Sequence, residues 1–150
     1  MVNVRNATPR DLDFVNQDGY VPVHTVARKI EAGEVLVAER DSVPVGYARI
    51  EYLWSRMPYI ALIRVLPDSR RHGVGRALLA FLEEQLRAAG HSVLLSSSQA
   101  DEPEPQAWHR HMGFVECGRL EAINADGVDE VFFRKELRKP KGSPNDTARA

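Results

Sequence analysis

The chain has 150 residues, 43% of them apolar, with 20 Lys and Arg set against 21 Asp and Glu. That length supports one domain with a core of its own, and a net charge of −1 gives no general pull toward nucleic acid or an anionic membrane. A single cysteine, Cys117, excludes an internal disulfide and a multi-cysteine metal site. No run approaches the roughly 18 apolar residues of a membrane helix, and no N-terminal apolar segment reads as a signal peptide. The expectation is a soluble cytoplasmic protein.

Residues 2–5 read as a first strand. Thr8-Pro9-Arg10-Asp11 opens a helix: Thr8 can cap, Pro9 suits the first position and Asp11 favours the positive end. A second helix over 23–32 closes at Gly33. Strands at 34–40 and 45–54, with a turn at 41–44, form an antiparallel hairpin. After a turn at 55–58, residues 59–66 are almost continuously apolar, as in a central strand covered on both faces; Arg64 is the exception.

In the helix that follows, Val74, Leu78, Leu82 and Leu86 recur every four residues as one buried stripe, and Gly90 stops it. Residues 92–98 form another central strand. Pro103 and Pro105 suit the first turn of a short helix that runs to Met112 and ends at Gly113. Strands at 114–117 and 128–134 are joined around 124–127. From Arg138 onward polar residues, Pro and Gly dominate, so 138–150 reads as a disordered tail and 1–137 as a single domain.

Between strand and helix stands Arg70-Arg71-His72-Gly73-Val74-Gly75-Arg76. The first N–H groups of a helix lack intrahelical partners and sit at the positive end of its dipole. Gly73 and Gly75 let a phosphate approach the backbone, while Arg70, Arg71, His72 and Arg76 add donors around it. A Walker loop needs a terminal Gly-Lys-Ser/Thr, which is missing. A dinucleotide fingerprint needs a small residue where Leu78 stands.

The spacing Arg70-x-x-Gly73-x-Gly75 resembles the acyl-CoA pyrophosphate loop of the GNAT acetyltransferase superfamily. The order β-α-α-β-β-β-α-β-α-β-β matches that fold, an α/β architecture. It has a mixed, mostly antiparallel central sheet flanked by about four helices and splayed between the fourth and fifth strands. The resemblance implies acetyl-CoA as co-substrate, with no metal. It implies that backbone groups at Ile63 and Val65 pair with the pantetheine amides, that the Val65 N–H polarises the thioester carbonyl, and that the amides of 71–76, Val74 among them, hold the pyrophosphate.

A second segment, Trp108 to Phe114, is similar to the family's Asn-x-x-Ala-x-x-hydrophobic-Tyr followed by a basic stretch and Gly-Phe. Gly113-Phe114 sets the register. It places His109 at the tyrosine position, Pro105 at the alanine and Glu102 at the asparagine. The family tyrosine sits near the CoA sulfur, so His109 becomes the candidate general acid; an imidazole ordinarily titrates near 6.5 and can donate a ring N–H. The plain alternative is a helix residue packed on Trp108. Glu102 stands where the family contacts the pantetheine arm, and Ser97 or Ser98 at the strand end offers a replacement.

The acceptor amine must arrive neutral, so a base or water chain is required. Glu51, facing the same way as Tyr47 and Arg49, and Asp101 are the candidates; each is more often a solvated carboxylate. His24, His72, His91 and His111 show no metal-ligand spacing. Cys117 reads as a small buried residue, and Tyr52, Trp54 and Trp108 as an acceptor pocket or core aromatics. The implied function is acetyl transfer to a primary amine of a small molecule or peptide. The carboxylates Asp101, Glu102 and Glu104 favour a cationic acceptor. The segment from Ser97 to Phe114 is faintly similar to those of aminoglycoside 6'-acetyltransferases. A non-catalytic acyl-CoA-binding module is the alternative; a nucleic-acid binder conflicts with the acidic balance. Dimers are common in the superfamily, which makes a homodimer a candidate state.

Overall fold

A computed structural model describes residues 1–137, and the tail reading at 138–150 lies outside them. The described residues fall into two compact units, 1–82 and 83 onward.

In the first unit, β1 (Val2–Asn6), β2 (Val35–Arg40), β3 (Val43–Leu53) and β4 (Met57–Val65) form an antiparallel sheet in that order. A 3-10 turn at Pro9–Asp11 leads into α1 (Leu12–Val15), followed by α2 (Val23–Glu31). Thr8 is the N-cap, as expected, and the buried Asp11 carboxylate reaches back to accept its N–H at 2.7 Å, along with two bonds from Arg5 at 2.7 and 2.9 Å. Both hairpin turns are tighter than the four-residue turns read from sequence. Asp41 and Ser42 (φ 51° and 66°), then Trp54 and Ser55 (φ 57° each), take left-handed conformations, so β3 and β4 start at Val43 and Met57. Such pairs match the twist of the flanking strands.

Residues alternate across each strand. One face packs Val35, Val37 and Tyr47 against Ala7, Val15, Val26 and Ile30. The opposite face receives the first turns of α3 (Val74–Ala88). A Cβ at Gly46 would lie 2.9 Å from the Arg64 carbonyl oxygen and 3.0 Å from Val74 Cγ1, so only glycine lets that helix settle here. β4 is fully covered at Pro58 and Ile60 and only half-buried over 61–65, where it runs out toward the basic loop; the expected cover on both faces stops there.

A buried ion pair joins the loop after α1 to β3. The Asp18 side chain has no exposure and that of Arg49 only 4%. Arg49 Nη1 and Nη2 donate to Asp18 at 2.6 and 2.8 Å, Nη1 also donates to the Val15 carbonyl, and Tyr47 Oη donates to Asp18 at 2.7 Å. Burial pushes the Asp18 carboxyl up, but Arg49, the Tyr20 N–H and Tyr47 together hold it well below the usual carboxylate range. Burial and the same carboxylate push the Tyr47 hydroxyl up to about 12.

In the second unit, β5 (Val93–Gln99), β7 (Glu130–Glu136) and β6 (Val115–Leu120) form an antiparallel sheet in the spatial order β5-β7-β6. Leu94, Ser96, Ser98, Val131 and Phe133 make its buried face. The helix α4 (Pro103–His111) ends at Gly113, whose φ of 93° allows the Phe114 N–H to return to the His109 carbonyl at 2.9 Å. Glu83, 6% exposed, is neutralised by Lys135 at 2.7 Å and Arg87 at 3.0 Å.

Two outcomes follow for stability. Gly46→Val should lower the urea midpoint by an amount equivalent to about 1–3 kcal/mol through overpacking; an unchanged midpoint would mean that α3 shifts freely. Asp18 titrates lower folded than unfolded. Its contribution is therefore whole above the unfolded value near 4 and is lost as pH falls through the folded one. Urea titrations between pH 7 and pH 3 should show the wild type weakening below about pH 4. Asp18→Asn should be weaker by about 3–5 kcal/mol at pH 7 and flatter in acid.

Candidate functional site

The chain leaves β4 in a defined phase. Leu66 N–H donates to the Val45 carbonyl at 2.9 Å. In an antiparallel ladder successive residues turn their backbone groups to opposite sides, so Ile63 and Val65 turn theirs away from β3. The Arg70 guanidinium is found on that side, with Nε donating to the Val65 carbonyl at 3.2 Å. Just before, Leu62 pairs with Arg49 and Ile60 with Ile50, leaving Ala61 as an extra residue in β4. Such a bulge bends the strand and re-aims its backbone.

A 3-10 turn at Pro67–Ser69 then delivers the basic loop. Arg71 (φ 65°) and Gly73 (φ 78°) both take left-handed conformations. Glycine does so freely; for Arg71 the conformation costs about 1–3 kcal/mol, strain of a kind that gathers at ligand loops. Ala77 N–H donates to the Gly73 carbonyl at 2.9 Å, the first bond of α3. The N–H groups of Val74, Gly75 and Arg76 therefore precede the helical ladder and carry the positive end of its dipole. The side chains of Arg70, Arg71, His72 and Arg76 are exposed around them. Chemically such an arrangement suits an anion, and Gly46 fixes where the helix start stands.

In the second unit His109 is 4% exposed. Its ring stacks on Phe133 (4.7 Å, 8°) and meets Trp108 and Phe114 edge-on, each at 5.3 Å. Nδ1 lies 2.8 Å from the Pro105 carbonyl and Nε2 lies 2.7 Å from Ser96 Oγ. A carbonyl only accepts, so Nδ1 carries the proton and Ser96 donates to Nε2. Burial lowers the His109 pKa, with Pro105 acting in the other direction. The neutral ring is thus held from both sides.

Ser98 is 7% exposed, and its Oγ is buried without a hydrogen-bond partner. An unpaired buried hydroxyl costs about 1–3 kcal/mol, a cost that a bound polar group would remove. Glu102 caps α4 by backbone only, its side chain exposed and making no capping bond. Gln106, which the sequence reading missed, donates to the carbonyls of Gln99, Ala100 and Glu102 and so fixes the turn into α4. Glu51 is exposed beyond the point where Tyr47 and Arg49 enter the Asp18 cluster, and Asp101 is exposed too.

A further carboxylate, also missed, is Glu130. It is half-buried on β7 and held by Ser97 Oγ at 2.5 Å and Asn124 Nδ2 at 2.8 Å. Its sequence signal was slight, an acidic residue opening an apolar strand. Trp54 is 71% exposed under the Arg56 guanidinium, while Tyr52 and Trp108 are half-buried. Cys117, expected to be buried, is exposed, because β6 is an edge strand with all six residues open.

A sequence profile of the acetyltransferase (GNAT) family matches residues 2–114. Aminoglycoside N(6')-acetyltransferase type 1 of Stenotrophomonas maltophilia is 28% identical over 89% of this chain and 93% of its own. The crystal structure of a ribosomal-protein-alanine N-acetyltransferase from Brucella melitensis superposes with a TM-score of 0.76 at 28% identity, covering 90% of this chain and 99% of that one. A putative acetyltransferase from Salmonella typhimurium, solved with its cofactor acetyl-CoA, superposes with a TM-score of 0.78 at 19% identity, over 97% of this chain and 98% of that one.

Replacing His109 by Ala would remove a stacked ring and strand both Ser96 Oγ and the Pro105 carbonyl. The expected loss is about 2–4 kcal/mol in urea unfolding; an unaltered midpoint would show that the ring holds nothing together.

Proposed function

We propose, since the chain belongs to the acetyltransferase (GNAT) family, that it transfers an acetyl group from acetyl-CoA to a primary amine by direct attack. The observation that carries this reading is the cradle at 70–76, with three helix-leading amides ringed by arginines. The amides of Val74, Gly75 and Arg76 take the diphosphate, with Arg70 and Arg71 adding charge and His72 a ring N–H donor. The backbone groups of Ile63 and Val65, turned away from β3, pair with the pantetheine amides in the manner of an added strand. The Val65 N–H serves as the donor to the thioester carbonyl. Ser98 supplies its unpaired hydroxyl to the pantetheine arm, in place of the family asparagine whose position Glu102 occupies.

The co-substrate supplies an acyl carbon that gains a C–N bond as its C–S bond breaks, and the departing thiolate then takes up a proton. For that proton His109 was the expected source. Its tautomer leaves no hydrogen on Nε2, and Nδ1–H is committed to Pro105, so the contacts support a positioning role better than an acid role. Glu51 and Glu130 are the carboxylates proposed to receive the amine and its proton; Glu130 has the better-fixed geometry. Asp101, Glu102 and Glu104 favour a cationic acceptor. The named acceptors of the relatives, an aminoglycoside in one case and a ribosomal-protein alanine in another, are both amines. The engaged His109 also supports a second reading, an acyl-CoA-binding module without turnover.

Free-thiol release from acetyl-CoA across a panel of aminoglycosides, amino acids and peptides separates the two. The transferase reading expects turnover with at least one cationic amine; calorimetric binding of coenzyme A with no thiol release from any member selects the module. Arg71→Glu should raise KM for acetyl-CoA roughly tenfold or more, with little effect on KM for the amine. Glu130→Gln should lower kcat and leave KM for acetyl-CoA alone. Coenzyme A binding that is indifferent to Arg71→Glu would remove the cradle from the reading.

A further inference from the structure

The pairing of β5 with β7 sorts its side chains onto two faces, since residues directly opposite in an antiparallel ladder share one. Ser96, Ser98, Val131 and Phe133 lie on the buried face, together with the His109 ring. Ser97, Gln99, Glu130 and Phe132 lie on the other, where all four are half-buried. Glu130 therefore stands across the sheet from His109.

The segment between β6 and β7 delivers Asn124 to the same carboxylate and is braced by its own hydrogen bonds. The half-buried Asp129 side chain accepts the Ala122 N–H at 2.8 Å and Arg119 Nη1 at 3.0 Å, and its carbonyl accepts the Ala100 N–H at 2.9 Å. Asn124 N–H donates to the Val128 carbonyl at 3.0 Å, and Gly127 N–H to the Asn124 carbonyl at 3.2 Å. Asp126 and Gly127 (φ 60° and 72°) close the turn in left-handed conformations. Asn124 Nδ2 is thereby held 2.8 Å from Glu130 Oε1, while Ser97 Oγ stands 2.5 Å from Oε2. An ionised carboxylate only accepts, so both neighbours donate; each oxygen takes one donor and keeps a further lone pair open.

The chain treats its more deeply enclosed carboxylates differently. Asp11 is paired with Arg5, Asp18 with Arg49, and Glu83 with Lys135 and Arg87. Among the described residues no Lys or Arg forms an ion pair with Glu130, so two neutral groups orient a charge that neither of them cancels. Fixing a partly desolvated carboxylate in one orientation costs side-chain entropy and hydration. A cation arriving from outside would offset both.

We propose that Glu130 is the seat for the ammonium group of a cationic amine acceptor, and that Ser97 and Asn124 are positioning residues that set the plane of its carboxylate. Neither touches the amine; each acts through Glu130. Calling that amine the acceptor rests on the acetyltransferase reading, while the seat rests on the contacts of β5, β7 and the segment before β7.

Amine titrations of the full chain, followed by NMR of the Asn124 side-chain amide and by calorimetry, test the seat without turnover. The probes are kanamycin, spermidine and a tripeptide amide with a free N-terminus; sucrose is the uncharged control. The Asn124 side-chain signals should move with at least one cationic probe and stay still with sucrose. Ser97→Ala and Asn124→Ala should each weaken amine binding roughly three- to tenfold. Ser97→Thr, which keeps the hydroxyl, should bind as the wild type does. With Glu130→Ala in place, the Ser97 and Asn124 replacements should cost nothing further. Signals that no cationic probe moves overturn the proposal, as do single variants that bind like the wild type, or losses that persist in full without Glu130. Thiol release alongside any of those results would leave the acetyltransferase reading standing without the seat. Amine binding that follows the expected cycle, with no thiol release, would keep the seat and remove the reading.

Discussion

One missing side chain sets the placement of the basic loop at 70–76. At Gly46 the backbone of β3 lies so close to α3 that a methyl group would press on both the Arg64 carbonyl and Val74. Because Val74 is the residue after the helix cap, this contact governs where the first free amides sit relative to the end of β4. The strained Arg71 and the permissive Gly73 then curl the intervening chain to meet that fixed helix start. Packing density here acts as a positioning device: close packing leaves few alternative seats for the helix.

A second constraint operates on the other face of the same sheet. Asp18, Arg49 and Tyr47 place a charge pair where hydrocarbon would ordinarily lie, with each carboxylate oxygen taking two donors. Saturation of this kind is what makes a buried charge tolerable. It also ties the segment between α1 and α2 to the middle of β3, giving a short four-residue helix an anchor that its own length would not provide.

The element order was legible because apolar periodicity and glycine stops mark it: the four-residue spacing from Val74 to Leu86 and the stop at Gly90 both describe α3 well. The turn between β4 and α3 was legible for a similar reason, since Gly73 reports a left-handed backbone directly. The hairpin turns were misjudged because Asp41-Ser42 and Trp54-Ser55 adopt left-handed conformations without a glycine to announce them. The partner of Arg49 stands 31 positions away, beyond the reach of any local pattern. His109 was found by register with a family motif, but its role depends on Ser96 and Pro105, which the motif does not contain. The extra residue Ala61 and the exposure of Cys117 arise from strand pairing, which periodicity alone does not reveal.

The positions of the chain's two tryptophans make them natural optical reporters. Trp54 sits at a hairpin tip of the first unit, open to solvent and away from the packed interior. Trp108 stands 5.3 Å from the His109 ring in the second unit, and an imidazolium quenches a neighbouring indole. Its emission therefore responds to how the His109 ring is packed, without a label.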